Sequence, residues 1–213
     1  MRYQGEGPLS KLDYGAYLAA GLHNLMLKQR DATGLIGFDE SVHTFRPPKA
    51  TPGYLRQLLV ALDRMHRREA EGERTSAAAA LEEVAQRVKR RSLVVVITDL
   101  FENIAAHDDL LRALRHLRHR GHEVVVFHVL EGSTERQFHF PDRPMLFRDV
   151  ETGDEVRLQP AQVRDHYTEA VEHFTETFRR SCLEHDIDFA ELDTHEPYDT
   201  ALMAYLNKRS RLA

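Results

Sequence analysis

An uninterrupted apolar run, LVVVIT at 93–98, constrains the fold of this 213-residue chain more than any other feature. A strand of this composition must bury both of its faces, as strands do in the parallel sheets of α/β proteins. A helical pattern over 105–120 ends at Gly121, and a second apolar run, EVVVFHVL, follows directly at 123–130. This succession predicts a β-α-β unit with a right-handed crossover.

The other periodic segments indicate the same class of fold. Apolar residues at helical spacing predict further helices, and short apolar or alternating runs predict further strands. The expected helices cover 10–30, 51–65, 77–91, 160–184 and 198–208. The expected strands cover 33–38, 42–46 and 187–192, and the first two of these form a hairpin. This alternation predicts a doubly wound, Rossmann-type sheet, mostly parallel, with helices on both faces.

Several helix starts carry recognisable signals. Ser10 and Asp13 have the spacing of a capping box, in which each residue's side chain bonds the backbone of the other. Pro52 and Pro160 are each expected at the first position of a helix. Proline suits that position because a backbone N–H there would have no partner within the helix.

No glycine- or serine-rich linker divides the chain, so the sequence predicts one domain over 1–213. Residues 132–159 differ in character from the rest. Gly132, Pro141 and Gly153 punctuate short pieces in which apolar and polar residues alternate. We interpret 132–159 as a β-meander inserted into the parallel domain.

Charge and hydrophobicity exclude several classes of protein. The net charge of −5 lacks the basic character typical of nucleic-acid or anionic-lipid binding. No stretch approaches the roughly 20 apolar residues that span a bilayer, and the N-terminal MRYQGEGPLSKLD lacks the apolar centre of a signal peptide. We therefore expect no nucleic-acid partner, no membrane segment and a cytoplasmic location. The single cysteine, Cys182, lies in a helical pattern that indicates a buried structural role.

The sequence contains none of the common catalytic motifs. The glycine-rich loops that bind dinucleotides or phosphates, the GxSxG elbow and the HExxH zinc motif are all absent. His116, His119 and His122 have a spacing that would suit a metal. However, arginines alternate with these histidines and would oppose a cation, and no carboxylate accompanies them.

Acidic residues follow three of the expected strands, at Asp39, Asp99 and Asp193. Ligands of doubly wound sheets bind beyond the carboxyl ends of the strands, so these residues mark the candidate site. Asp99 either binds a hard cation or caps the helix that follows it. Thr75, at the start of a helix, has the same two interpretations.

Six blocks of the sequence together resemble the bacterial family called domain of unknown function 58. In chain order they are MRYQGEGPLSKLDYGAYLAAGL, GLIGFDESVHTFRPP, RTSAAAALEEVAQRVKRRSLVVVITDL, RGHEVVVFHVLE, RDVETG and ELDTHEPYDTALMAYL. They have the order and spacing of that family across nearly the whole chain. The resemblance implies a von Willebrand A-like fold and a non-enzymatic role in assembly or maturation beside MoxR-type AAA+ ATPases.

The resemblance also implies a metal-ion-dependent adhesion site, which binds Mg²⁺ or another divalent cation in full-length relatives. That site contains a DxSxS segment, a threonine on a second loop and an aspartate after a later strand. Thr75 matches the threonine and Asp99 matches the aspartate, whereas the DxSxS segment would precede the first residue of this chain. One hydroxyl and one carboxylate leave most of an octahedral shell to water. We therefore expect an incomplete metal site and no cofactor in this chain.

The resemblance further implies that a central strand between 33–38 and 93–98 is missing, which would leave two open strand edges. Either the flanking strands close up, or another chain supplies a strand, for instance by self-association, or the domain is poorly stable. A truncated gene product or a misassigned start is a further explanation of where the sequence begins.

Two functions of different classes follow. The first is a protein-interaction or assembly module, with a MoxR-type ATPase as partner and the surface around Thr75 and Asp99 as contact face. The alternative is a hydrolase or nucleotide-binding enzyme that uses Asp99, Asp39 and a histidine in the strand-end crevice. A deep, closed pocket beyond Asp99 would favour the enzyme, and a shallow exposed face would favour the module.

Overall fold

The computed structural model describes residues 1, 3–5, 7–38, 42–67, 77–88, 91–100, 104–148 and 155–210. The helices are α1 (Lys11–Lys28), α2 (Tyr54–Arg67), α3 (Ala77–Arg87), α4 (Ile104–His119), α5 (Pro160–Leu183) and α6 (Tyr198–Ser210). The strands are β1 (Thr33–Phe38), β2 (Val42–Lys49), β3 (Leu93–Thr98), β4 (Glu123–Leu130), β5 (Met145–Arg148), β6 (Glu155–Leu158) and β7 (Asp188–Asp193). A π-helical turn covers Gly132–Arg136.

The two apolar runs of the sequence pair with each other at the centre of the protein. β3, β4 and β7 form a three-stranded parallel sheet with β4 in the middle. Every residue of β4 after Glu123 is buried, because strands lie on both sides of β4 and helices cover both of its faces. The predicted α/β class and the parallel β-α-β unit are confirmed.

Alternate residues of β4 enter two different cores, since successive side chains of a strand point to opposite faces of the sheet. Val124 and Val126 pack with apolar residues of α3, α4 and α5. Val125, Phe127 and Val129 pack with apolar residues of α1 and α6. This double burial is the reason that the strand needs an almost unbroken apolar sequence.

β1 and β2 form a separate antiparallel hairpin, and here the structure differs from the single mostly parallel sheet that we expected. Within the described ranges, β1 has no strand partner other than β2. The hairpin has its own small core, in which Leu35 packs with Tyr54 and Leu58 of α2. The predicted pairing of 33–38 with 42–46 is confirmed. The hairpin joins the rest of the protein through side chains and not through the parallel ladder.

The capping box at the start of α1 is confirmed, because the side chains of Ser10 and Asp13 each bond the backbone of the other. Pro160 is the first residue of α5, as expected. The prediction that Pro52 opens α2 is wrong, since that helix begins only after Gly53. Gly53 has a φ of 78°, a conformation that glycine adopts at little cost, so the chain makes a turn between the proline and the helix.

The segment 132–159 contains the π-helical turn and a hairpin made of β5 and β6, which pair antiparallel. Phe138, Phe140 and Phe147 form an aromatic cluster with Tyr167 of α5. These rings fasten the hairpin to the helix. The interpretation of the segment as a meander inserted into one domain stays a prediction.

Cys182 lies fully buried in α5 and packs in the core between α3, α4 and α5. Burial raises the pKa of its thiol to about 12, because the thiolate loses its hydration. The predicted structural role of Cys182 is therefore confirmed.

A buried histidine joins α1 to the β1–β2 hairpin. Nδ1 of His23 lies 2.8 Å from Oγ1 of Thr33 in β1. Burial lowers the pKa of His23 to about 4, because the charged imidazolium loses its hydration. The ring is therefore neutral in the folded protein near neutral pH.

We expect the free energy of unfolding to fall as the pH is lowered from about 6.5 to about 4. In this range the unfolded chain binds a proton at His23 before the folded chain does. The loss from this one residue is about 3 kcal/mol. His23→Gln, whose amide is still able to bond Thr33, should weaken the pH dependence measured by urea unfolding. His116→Gln, on the exposed face of α4, is the matched control, and equal pH dependence in all three chains would contradict this assignment.

Candidate functional site

The carboxyl ends of the parallel strands carry acidic side chains at one edge of the sheet. Asp99 follows β3, Glu131 follows β4, and Asp193 is the last residue of β7. Because the three strands are parallel and adjacent, these side chains lie along the same edge. The strand-end cluster consists of these residues and the side chains that connect them, namely Lys11, Asp99, Glu131, Glu135, Asp193 and His195.

A buried lysine lies at the centre of the strand-end cluster. Lys11, in the first turn of α1, is only 2% exposed. Its Nζ lies 3.0 Å from Oδ2 of Asp99 and 2.5 Å from Oε1 of Glu135. The α-amino group of Met1 lies 2.9 Å from the same oxygen of Asp99. The lysine therefore joins α1 to the end of β3 and to the turn after β4.

These cations hold Asp99 in its charged form. Burial by itself would raise the pKa of the Asp99 carboxyl, but Lys11 and the Met1 amine lower it to about 2. Asp99 is consequently anionic at physiological pH, and its charge is compensated inside the protein.

The π-helical turn after β4 positions Glu135, the second carboxylate that contacts Lys11. In this turn the backbone N–H of Gln137 donates to the carbonyl of Gly132 at 3.1 Å, a wider spacing than in an α-helix. Oε2 of Glu135 accepts a hydrogen bond from the backbone N–H of Glu131 at 2.9 Å. The other oxygen of Glu135 is thereby directed at Lys11.

Glu131 is completely buried and holds the turn from inside. Its Oε2 accepts hydrogen bonds from the backbone N–H of Thr134, at 2.7 Å, and from the Thr134 hydroxyl. The hydroxyl of Tyr3 donates in turn to Oγ1 of Thr134 at 2.8 Å. Nε2 of His195 lies 3.3 Å from Oε1 of Glu131, close enough for an ion pair but without the geometry of a hydrogen bond.

Asp193 and His195 form the exposed rim of the strand-end cluster. Oδ1 of Asp193 accepts hydrogen bonds from the backbone N–H of Gly132 at 3.2 Å and of His195 at 3.0 Å. Nδ1 of His195 lies 3.1 Å from the same oxygen. A Cβ at Gly132 would collide with Oδ2 of Asp193, so the glycine allows the turn to approach β7 closely. His195 is 39% exposed and Asp193 34%.

His128 of β4 is a buried neighbour of Asp99. Burial lowers the pKa of His128 to about 4, although the charge and the backbone of Asp99 act in the opposite direction. The ring is therefore neutral at physiological pH, and it supports the strand end without adding a charge.

The strand-end cluster does not fit a divalent cation at Asp99. An ammonium already lies 3.0 Å from Oδ2 of this residue. Two like unit charges about 4 Å apart repel by about 4 kcal/mol at an effective dielectric constant of about 20, and a divalent ion is repelled about twice as strongly. In the part of the chain that the structure describes, no group of three or more His, Cys, Asp or Glu side chains could hold a metal. Thr75 lies outside the described residues, so the incomplete metal site stays a prediction.

The structure brings together part of the set that the sequence singled out. Asp99 and Asp193 lie at the same edge of the sheet, as the strand-end rule predicts. Asp39 lies outside the described residues. Of the three histidines around the end of α4, His122 is buried and the other two are exposed. Burial also lowers the pKa of His122.

The sequence alone did not indicate Lys11, Glu131, Glu135 or His195 as members of a site. Glu131 follows a strand just as Asp99 does, so the same strand-end rule could have found it. Lys11 offers no such signal, because a lysine in the first turn of a helix is normally exposed to solvent. Its burial depends on how α1 packs against the sheet.

A cavity of about 380 Å³ is lined by His43 and Thr44 of β2 and by Arg64 and Met65 of α2. Its walls include no member of the strand-end cluster. This cavity is therefore different from the crevice beyond Asp99 that the enzyme hypothesis requires.

Comparison with known proteins gives a family and a fold. The family model described as protein of unknown function DUF58 matches residues 2–177. A similar solved structure is described as the crystal structure of an aerotolerance-related membrane protein from Bacteroides fragilis NCTC 9343 with multiple mutations to serines. The two are 17% identical, and the match covers 98% of this chain and 93% of that chain with a TM-score of 0.59, which shows the fold alone. No curated protein matches the chain. Among the described helices, none is long and apolar enough to cross a membrane.

Asp99→Asn should destabilise the folded protein, because it removes a charge that compensates the buried Lys11. We expect the free energy of unfolding, measured with urea, to fall by about 3 kcal/mol. Asp63→Asn is the matched control, since Asp63 pairs with Arg67 on the exposed surface of α2. Such a surface pair contributes about 0.5 kcal/mol or less. Equal losses of unfolding free energy in the two variants would show that the buried pair stabilises the protein no more than the surface pair does.

Proposed function

The chain belongs to the family described as protein of unknown function DUF58, and from this premise we propose that it acts as a non-enzymatic protein-interaction or assembly module. Its contact face is the carboxyl edge of the β3–β4–β7 sheet. The strand-end cluster forms the base of that face, and His195 and Asp193 form its exposed rim.

One observation carries this proposal: the charges around the buried Lys11 compensate one another. Lys11 lies against the carboxylates of Asp99 and Glu135, and the Met1 amine lies against Asp99 as well. His195 lies beside the other two carboxylates, those of Glu131 and Asp193. Nucleophilic or acid–base catalysis instead needs a reactive group within hydrogen-bond reach of a base that a third group orients. The side chain of His195 lies against the carboxylates of Asp193 and Glu131, and its own backbone N–H donates to Asp193. The thiol of Cys182 is buried in the core.

The exposed rim and the rigid base together suit recognition of another protein. The residues that follow β7, from His195 to Pro197, are exposed at the edge of the face. Beneath them, the buried ion pairs and the π-helical turn hold the backbone in place. A face that is already ordered loses little conformational entropy when a partner binds.

A MoxR-type AAA+ ATPase is the partner that the family resemblance suggests. The proposal also includes a von Willebrand A-like fold with an incomplete metal site at Thr75 and Asp99. The parallel sheet with helices on both faces supports the von Willebrand A-like fold. The ammonium of Lys11 beside Asp99 supports an incomplete metal site. We place the protein in the cytoplasm. Cell fractionation tests this location, because the solved protein of similar fold is described as a membrane protein.

His195→Ala should weaken binding of the cognate MoxR-type ATPase by about tenfold or more, because it removes the most exposed side chain of the strand-end cluster. Calorimetric titration of the purified chain with the ATPase measures this effect. His116→Ala removes an exposed histidine from α4 and should bind as the parent does. Absence of binding by the parent, or equal affinity of all three chains, would count against the proposal.

The alternative of a hydrolase or nucleotide-binding enzyme at Asp99 and Asp39 is tested separately. The parent chain and Asp99→Asn are assayed for hydrolysis of esters, phosphoesters and nucleotides. Turnover by the parent that disappears in the variant would establish an enzyme and overturn the module.

We further propose that the open edge of β3 pairs with a second copy of the chain. Over the described ranges, β3 is hydrogen-bonded to β4 only and β1 to β2 only, so the flanking strands have not closed on each other. Leu93, at the start of β3, is 44% exposed. Unpaired strand edges present rows of N–H and C=O groups that pair readily with another strand.

Light scattering should therefore give a mass that rises with concentration above the 24.6 kDa of one chain. Leu93→Lys should shift the protein to the monomer, because a charge on an edge strand hinders strand pairing. Leu183→Lys places the same charge at the exposed end of α5 and serves as the control. A monomer at every concentration would refute self-association without affecting the binding of a different partner.

A further inference from the structure

Lys11 lies between two carboxylates in the way that a metal cation does when two carboxylates bind it. Nζ lies 3.0 Å from an oxygen of Asp99 and 2.5 Å from an oxygen of Glu135. Carboxylate oxygens lie about 2.3–2.6 Å from Ca²⁺ and about 2.0–2.1 Å from Mg²⁺. A divalent ion that bridged these two carboxylates would consequently be centred close to the position of Nζ.

The lysine is built into the fold at this position. Its backbone N–H donates to the carbonyl of Tyr3 at 3.0 Å, and its ammonium lies 5.9 Å from the centre of the Tyr3 ring. The capping box of Ser10 and Asp13 fixes the start of the helix that carries it. Because Lys11 is 2% exposed, its ammonium cannot turn toward solvent without leaving Glu135 uncompensated and Asp99 with the Met1 amine alone.

The second carboxylate comes from a different part of the chain and is also fixed. Glu135 belongs to the π-helical turn, where its other oxygen accepts the backbone N–H of Glu131. Both acids therefore point at one place, and a positive charge of the protein's own fills that place.

We propose that the ammonium of Lys11 permanently takes the position of a divalent cation between Asp99 and Glu135, so that the strand-end face of this protein operates without a metal. This inference goes beyond the proposed function, because it concerns what holds the face together and not which partner binds to it. The family resemblance implies only that the metal site at Asp99 is incomplete in this chain, and the proposal adds which group takes the place of the metal.

Mn²⁺ is a suitable probe, because it accepts oxygen ligands and its binding can be followed by electron paramagnetic resonance as well as by calorimetry. The 213-residue chain should show no saturable binding at millimolar Mn²⁺, and its melting temperature should be the same in Mn²⁺ and in EDTA. Lys11→Ala should bind Mn²⁺ at least about tenfold more tightly than the parent, with a melting temperature that rises in Mn²⁺. The double variant Lys11→Ala/Asp99→Asn should lose that gain.

Lys28→Ala is the matched control, since it removes an exposed lysine from the last turn of the same helix, and it should behave as the parent. Lys11→Met, which keeps the length of the side chain, replaces Lys11→Ala where the alanine variant does not fold. Saturable binding by the parent that Asp99→Asn abolishes would overturn the proposal, and this result needs no lysine variant. A folded lysine variant that gains no Mn²⁺ binding would overturn it as well. Neither result changes the partner-binding assay with His195→Ala, so the two proposals fail separately.

Discussion

The paired contacts of Lys11 are the interaction on which the strand-end edge depends. They connect α1 with the end of β3 and with the π-helical turn after β4. Glu135, the second contact of Lys11, lies 124 positions further along the chain. Burying one cation and two carboxylates costs several kcal/mol per ion in lost hydration, which their mutual attraction only roughly offsets. Their main effect is therefore on arrangement. The packing in which all three charges meet is strongly preferred over packings that would leave any of them buried alone.

Helix α1 has a second connecting role, because it packs on both the parallel sheet and the β1–β2 hairpin. Tyr14 and Leu18 pack on the parallel sheet, while Ala19, Ala20 and Leu27 contribute to the core of the β1–β2 hairpin. Its small residues make this possible. A Cβ at Gly15, for example, would lie 3.1 Å from Cγ2 of Ile97 in β3, so the helix approaches the sheet more closely than a larger residue would allow. The hairpin can thus remain attached without a hydrogen-bonded link to β3.

The closed set of charges at the strand ends gives the face a particular chemical character. A catalytic site usually keeps at least one group uncompensated or strained, and that group reacts. Here cations of the same chain lower the pKa of Asp99, and the backbone of the turn after β4 donates a hydrogen bond to one oxygen of Glu131 and to one oxygen of Glu135. What remains available to another molecule is the rim at Asp193 and His195. Such a surface is better suited to shape and charge recognition than to bond breaking.

The sequence by itself determined the elements and their class. Unbroken apolar runs predicted β3 and β4, helical spacing predicted the helices, and Ser10 with Asp13 predicted a helix start, because each of these depends on residues that are near one another in the chain. The strand-end rule also found Asp99 and Asp193, since it needs only the parallel pairing of neighbouring strands. Glu131 follows β4 in the same way, so the rule predicts it only when glutamates are considered together with aspartates.

Only the tertiary structure decided what surrounds those acids and where β1 belongs. A lysine at the start of α1 and a glutamate after β4 have no spacing that links them, and their meeting depends on the path of α1 across the sheet. The separation of the β1–β2 hairpin likewise depends on packing of Leu35 against α2, because the apolar sequence of β1 would suit either sheet. The physical reason is the same in both cases. Local patterns specify which faces must leave water. Desolvated charges and shared cores then select, among the arrangements that bury those faces, the one in which Lys11 meets its carboxylates and Leu35 meets α2.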